Sequence, residues 1–174
     1  LRYTALAKGQ NAPELISGSE QDQILEQIIA TSQDYKSAQS SWPKHINAQV
    51  MSLSGFRAEL RDLITACLEH AVTPEDLKQL GITHNKSEWV AASEMFDQYL
   101  KLVTGPNFNN RFDPTIILRK AADELLALAE WPESIKLILV DDAQELTPAA
   151  ANLLKVATSR GADLVLIGDP DAST

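Results

Sequence analysis

The chain is poor in cysteine, in glycine and in positive charge, and each shortage removes a class of protein. A single cysteine, Cys67, cannot form an internal disulfide. A small disulfide-stapled scaffold is therefore excluded, and a reducing compartment, with cytoplasm as the default location, is the expectation. Cys67 falls on the apolar stripe of a helix and reads as a small core residue rather than a nucleophile. None of the 7 glycines begins a Gly-x-x-x-x-Gly-Lys-Ser/Thr. No loop thus supplies the nest of backbone N–H groups and the lysine that cradle a nucleotide's β- and γ-phosphates. Lys and Arg total 15 against 24 Asp and Glu, a formal charge of −9, which disfavours a free-standing nucleic-acid-binding domain. No apolar run approaches the roughly 18 residues of a membrane span, and the N-terminus shows no signal-peptide pattern, so no membrane partner is expected. His45, His70 and His84 have no Cys, His or Asp neighbours at metal-ligand spacing. No Ser-His-Asp or Cys-His constellation can be assembled either.

What is present is enough apolar material, 44% of 174 residues, for a genuine core in one domain or a domain plus a further piece. Ser19 is placed to cap a helix with the stripe Ile24, Leu25, Ile28 and Ile29, and Glu20 and Asp22 suit its first turn. Residues 31–45 are polar and read as a loop, pinned by Trp42-Pro43. Leu53, Phe56, Leu60, Leu63, Ile64, Cys67, Leu68 and Ala71 repeat at helical spacing. Thr73-Pro74-Glu75-Asp76 opens a short helix that Gly81 can close. Ser87 opens another with Trp89, Ala92, Phe96, Tyr99, Leu100 and Val103 inward, and Gly105-Pro106 breaks it. Asp113-Pro114 starts a long helix with Leu118, Ala121, Ala122, Leu125 and Leu128 on its apolar face, ended by Trp131-Pro132.

The last third changes character. Residues 136–141 and 163–168 are apolar β-type runs, separated by a helix that Thr147-Pro148 caps and Gly161 ends. The first run delivers Asp141-Asp142-Ala143-Gln144-Glu145 and the second Gly168-Asp169-Pro170-Asp171. A right-handed crossover makes the strands parallel, and acids at the carboxyl ends of parallel strands face a ligand crevice. An apolar strand that ends in Asp with a second acid beside it is the magnesium-binding half of many phosphate-loop NTPases. A buried strand ending in solvated acids is the plainer alternative. Two strands are marginal alone, so they should lean on the long helix and on Trp131.

Val140-Asp141-Asp142-Ala143-Gln144-Glu145 resembles motif II of superfamily 1 DNA helicases of the UvrD/Rep/RecB type, usually Val-Asp-Glu-Ala-Gln-Asp. Gly168-Asp169-Pro170-Asp171-Ala172-Ser173-Thr174 resembles their motif III, usually Gly-Asp-Pro-Asp-Gln-Ser-Ile. Upstream, the stretches Pro13–Asp22 and Gly55–Leu63 resemble the helical insertion of actinobacterial helicase-nuclease subunits of the AdnA/AdnB kind. The resemblance implies an α/β, mostly α chain. A helical insertion (1B-like) domain would cover 1–130, and 131–174 would be a truncated β-α-β piece of a RecA-like P-loop motor. It also implies ATP and Mg2+ as cofactors. Asp141 would be the magnesium residue, Asp142 would stand where the catalytic Glu usually is, and Gln144 would link nucleotide state to DNA-contacting elements. Asp169 and Asp171 would lie on the cofactor side. Arg57, Arg61, Arg119 and Lys120 are the cations that could touch DNA phosphates, although each is interspersed with acids as on a solvated helix face. Implied partners are single-stranded or duplex DNA, the remainder of the helicase and a helicase-nuclease partner subunit.

Two departures stand out. Asp142 is one methylene shorter than Glu, so its carboxylate falls short by about 1.5 Å. Ala172 replaces a Gln that senses the γ-phosphate in relatives. Leu1 is not an initiator Met and Thr174 stops inside motif III; the expectation is a piece of a larger helicase that does not hydrolyse ATP alone. A non-catalytic helical scaffold on a degenerate NTPase core, and an unrelated P-loop ATPase with a similar strand, remain open at this point.

Overall fold

Residues 12–32, 41–105, 111–129, 135–169 and Asp171 are described in the computed structural model. Their contacts divide them into a unit Glu14–Asp113 and a second that includes everything described from Pro114 onward.

In the first unit, α1 (Gly18–Thr31) is capped by Ser17 rather than Ser19, because Ser17 and Glu20 have the capping-box spacing. The Glu20 N–H donates to Ser17 Oγ at 3.3 Å, and the Ser17 N–H donates back to Glu20 Oε2 at 2.8 Å. Ile24, Leu25, Ile28 and Ile29 are all buried, as the stripe requires. A single turn, α2 (Ala48–Met51), is capped by Asn47 and buries Met51; its shortness hides it from periodicity. Helix α3 (Ser54–Glu69) buries Leu60, Ile64, Cys67 and Leu68. Leu53, at its N-cap, is exposed. Ala71 lies beyond the helix, exposed and at φ 57°, so the apolar stripe overran the element at both ends. Trp42 is buried with its ring edge-on to Phe56, centroids 5.2 Å apart. That contact anchors the segment to α3.

Thr73 caps α4 (Pro74–Thr83) as expected, and with Asp76 it forms a second capping box. Gly81 does not end α4; it lies inside it, and a Cβ there would meet the Lys86 carbonyl at 2.9 Å and the Val90 nitrogen at 2.9 Å. The glycine serves close approach to α5 (Ser87–Val103), which buries Ala91, Ala92, Met95, Phe96, Tyr99 and Val103. Helix ends α3 and α4 both close in the same way. The Ala71 and Val72 N–H groups reach back to Leu68 and Cys67 carbonyls, and those of Asn85 and Lys86 to Ile82 and Gly81 carbonyls. These are Schellman closures with Ala71 and Asn85, not glycine, in the left-handed position.

Two short strands absent from the sequence reading, β1 (Glu14–Leu15) and β2 (Arg111–Phe112), pair in parallel. They carry Asp113 into a buried position where it accepts from Gln21 Nε2 at 2.6 Å and from the Tyr99 hydroxyl at 2.7 Å. Burial, then the Asp113 charge, push the Tyr99 phenol far above its ordinary range.

The second unit contains α6 (Pro114–Ala127), β3 (Leu137–Val140), a 3-10 turn (Ala143–Glu145), α7 (Pro148–Ser159) and β4 (Asp163–Leu166). The long helix therefore groups by its contacts with the β-α-β piece. Thr147 caps α7 as expected. Gly161, at φ 109°, provides a third Schellman closure. Strands β3 and β4 are parallel, Leu137 opposite Asp163 and Val140 opposite Leu166. Helix α6 packs against α7, and the Arg160 guanidinium donates to the Leu128 carbonyl past the end of α6. The expected burial of the strands is only partial: Leu137, Leu139, Val165 and Leu166 are 42–64% exposed. Trp131-Pro132 lies outside the described residues. The chain is thus mostly helical with few short strands, and no described helix is long and apolar enough to cross a membrane.

Candidate functional site

The parallel register brings the two acidic strand ends side by side. The Ile167 N–H donates to the Val140 carbonyl at 2.8 Å, and the Ala143 N–H to the Ile167 carbonyl at 2.9 Å. The ladder is thereby carried past the last strand residues into both loops. Asp141, Asp142, Glu145, Asp169 and Asp171 all emerge there, exposed, while Ala143 and Gln144 are half-buried.

Asp142 adopts a left-handed backbone, φ 51° and ψ 46°. Asp and Asn visit this region more readily than most residues, because a short polar side chain can bond locally. Its N–H donates to Asp141 Oδ1 at 3.0 Å, and its carbonyl accepts from the Glu145 N–H at 2.9 Å, closing the 3-10 turn. The Glu-to-Asp departure thus occurs at a position whose backbone favours the shorter acid.

Gln144 spans the two loops. Its Oε1 accepts the Asp169 N–H at 3.1 Å and its Nε2 donates to Asp142 Oδ1 at 3.3 Å. Gly168 makes this possible, since a Cβ there would lie 2.6 Å from Gln144 Oε1. The glycine is needed for space rather than for a positive φ. Asp169 Oδ1 in turn accepts the Asp171 N–H at 2.9 Å and shapes the motif III-like turn. Ala172 and Thr174 lie outside the described residues.

Among the described residues no three acids or histidines converge on a common point. A site of one or two hard carboxylates suits Mg2+, which keeps several waters and takes its remaining ligands from phosphate; Ca2+ calls for six to eight oxygens, roughly. Asp141, an exposed carboxylate at a strand end with Asp142 beside it, is a donor set of that kind.

The four cations singled out in the sequence are not gathered by one element. Arg57 is engaged inside the helical unit: Nε donates to Asp22 Oδ1 at 3.0 Å, Nη1 donates to the Ser52 carbonyl at 3.3 Å, and Glu26 lies 4.0 Å away. The bond to Asp22, before its charge, raises the Arg57 pKa further. Arg61 approaches Asp62 at 3.7 Å. Arg119 and Lys120 are exposed on α6, in the other unit. Arg111, grouped with Arg119 and Lys120 in the sequence as a cation that could touch phosphate, has its guanidinium bonded to Glu20 inside the helical unit, a partner remote in the chain.

Residues 2–174 match the UvrD/REP helicase N-terminal domain. Over 119 residues the chain is 27% identical to the ATP-dependent DNA helicase Rep of Buchnera aphidicola subsp. Baizongia pistaciae (strain Bp), an alignment covering 68% of this chain and 17% of that relative. The chain therefore spans a small part of the relative's length. The chain belongs to the UvrD/REP helicase N-terminal domain family.

Proposed function

We propose that the chain is the segment of an ATP-dependent DNA helicase that joins a 1B-like helical insertion to the metal-binding side of a RecA-like motor. The observation that carries this reading is the pair of parallel strand ends, Asp141-Asp142 and Gly168-Asp169, held together by Gln144 in a chain matched to the family over residues 2–174. Asp141 would hold Mg2+ through a coordinated water, and the ion, when bound, neutralises charge developing between the β- and γ-phosphates. Asp142 would orient the attacking water and accept its proton. Asp169 and Asp171 shape the loop that faces the nucleotide. The chain alone has no phosphate-cradling glycine loop, so ATP hydrolysis belongs to the longer protein, acting on single-stranded and duplex DNA in recombination or repair.

The short Asp142 carboxylate points to a slow motor; a shifted backbone, such as the left-handed one at Asp142, or an extra water is the competing way to restore the reach. A misplacement of about 1 Å at a reacting group costs on the order of a hundredfold in rate. Ala172 removes a second coupling group. Both fit the weaker motor of a helicase-nuclease pair of the AdnA/AdnB kind. The same two departures favour the second reading, a scaffold without turnover that binds DNA or a partner subunit.

DNA-stimulated ATP hydrolysis by the full-length protein separates the two. Turnover abolished by Asp141→Ala and raised by Asp142→Glu supports a detuned motor. Absence of turnover in wild type and both variants, with DNA binding intact, would establish the scaffold.

A further inference from the structure

We infer that Gln144 is a positioning residue for Asp142, a two-ended amide strut whose other end is fixed by the backbone of the second strand's loop, and that Gly168 exists to let it pass. This rests on the helicase reading of the site. The amide has only one orientation that satisfies both ends. The group facing it at Asp169 is a backbone N–H, a donor, so the end directed there must be the carbonyl oxygen. The NH2 end then faces the Asp142 carboxylate, which can only accept when ionised. Reversal would set donor against donor at one end and oxygen against oxygen at the other.

The strut answers a need particular to this chain. A carboxylate one methylene short has less reach, and a left-handed backbone at Asp142 alters the direction from which its side chain leaves. Asp142 Oδ1 nevertheless has a fixed partner in the Gln144 amide, 3.3 Å away. That amide is anchored 25 residues further on at Asp169. A displacement of the Gly168–Asp169 loop is therefore transmitted to the Asp142 carboxylate through one side chain. Substituting Gly168 should release the strut without altering any acid, because the new Cβ would occupy the space of Gln144 Oε1.

The test uses the full-length protein with Gln144→Met, which keeps length and removes both hydrogen bonds, and with Gly168→Ala. Amide hydrogen exchange reads the strut itself: the Asp169 N–H should exchange about tenfold faster in either variant, and unchanged exchange would overturn the inference whatever the activity. Steady-state ATP hydrolysis with DNA reads its consequence. Each variant should lose about tenfold or more in kcat, with KM for ATP within about twofold of wild type, and the double variant should be no slower than the worse single. Losses that multiply, or that appear in KM alone, would show that the two positions act separately and that Gln144 does not position Asp142. A wild-type protein with no turnover would sink the helicase reading and the catalytic half of this inference, leaving the strut to be decided by exchange.

Discussion

The helical unit and the strand-helix-strand unit bury their apolar residues to different degrees. In Glu14–Asp113, Leu25 and Phe96 have no exposed surface, and Ile28, Met51 and Met95 are 1–2% exposed. Charges within that unit are spent internally, Arg57 on Asp22 and Arg111 on Glu20. In the second unit Ala122, Ala149, Val156 and Ala157 are buried between helices, but Leu139 is 64% exposed and Ile167 55%. A two-stranded ribbon has too little area to cover both its faces. The difference shows that one region uses its sequence to close a core and the other to hold strand ends in register.

Phe96→Ala should break the helical unit most severely. It removes a fully buried ring and should cost about 3–5 kcal/mol by urea denaturation, whereas Leu139→Ala should stay within about 0.5 kcal/mol. Equal losses would mean that the ribbon is as well packed as the helices. Next comes the helix-end chemistry of the same unit. Gly81→Ala drives a Cβ against two backbone atoms and should cost about 1–3 kcal/mol, while Ala71→Gly relieves a left-handed alanine and should gain about 0.5–1 kcal/mol. Thermal midpoints moving the same way in both variants would refute the distinction between close approach and helix closure.

The smallest effect is electrostatic. The Ser17 N–H, then Arg111 and the Ser17 hydroxyl, lower the Glu20 carboxyl from 4.5 to about 2. Its stabilisation is therefore fully present above pH about 4.5 and is lost as pH falls toward about 2, where both folded and unfolded chains bind the proton. Glu20→Gln should flatten stability across that window and leave it unchanged in slope above it. A denaturation series from neutral to acid pH reads the difference.

Local features were legible because their causes are local. The Thr73 and Thr147 caps, the stripe Ile24–Ile29, the break at Gly105 and the Gly161 closure each rest on residues within a few positions of one another. The parallel order of β3 and β4 followed from the capped helix between them. Misreadings arose where one residue type serves two purposes. Gly81 looked like a helix end and is a packing contact, and Ala71 extended an apolar stripe yet closes the helix. The candidate site was half visible. Both acidic strand ends announced themselves, but the bond from Gln144 to the Asp169 N–H crosses 25 residues, and no periodicity reports it.

The sequence by itself determined the longer helices, the Thr73 and Thr147 caps, the parallel pair β3 and β4 and the family to which they point, since these depend on side-chain spacing and short-range hydrogen bonds. Only the tertiary structure decided that Arg57 is committed to Asp22 and that Gln144 passes over a glycine to join two loops. Those outcomes depend on which distant groups meet, and packing settles that by burying surface and bringing donors to acceptors.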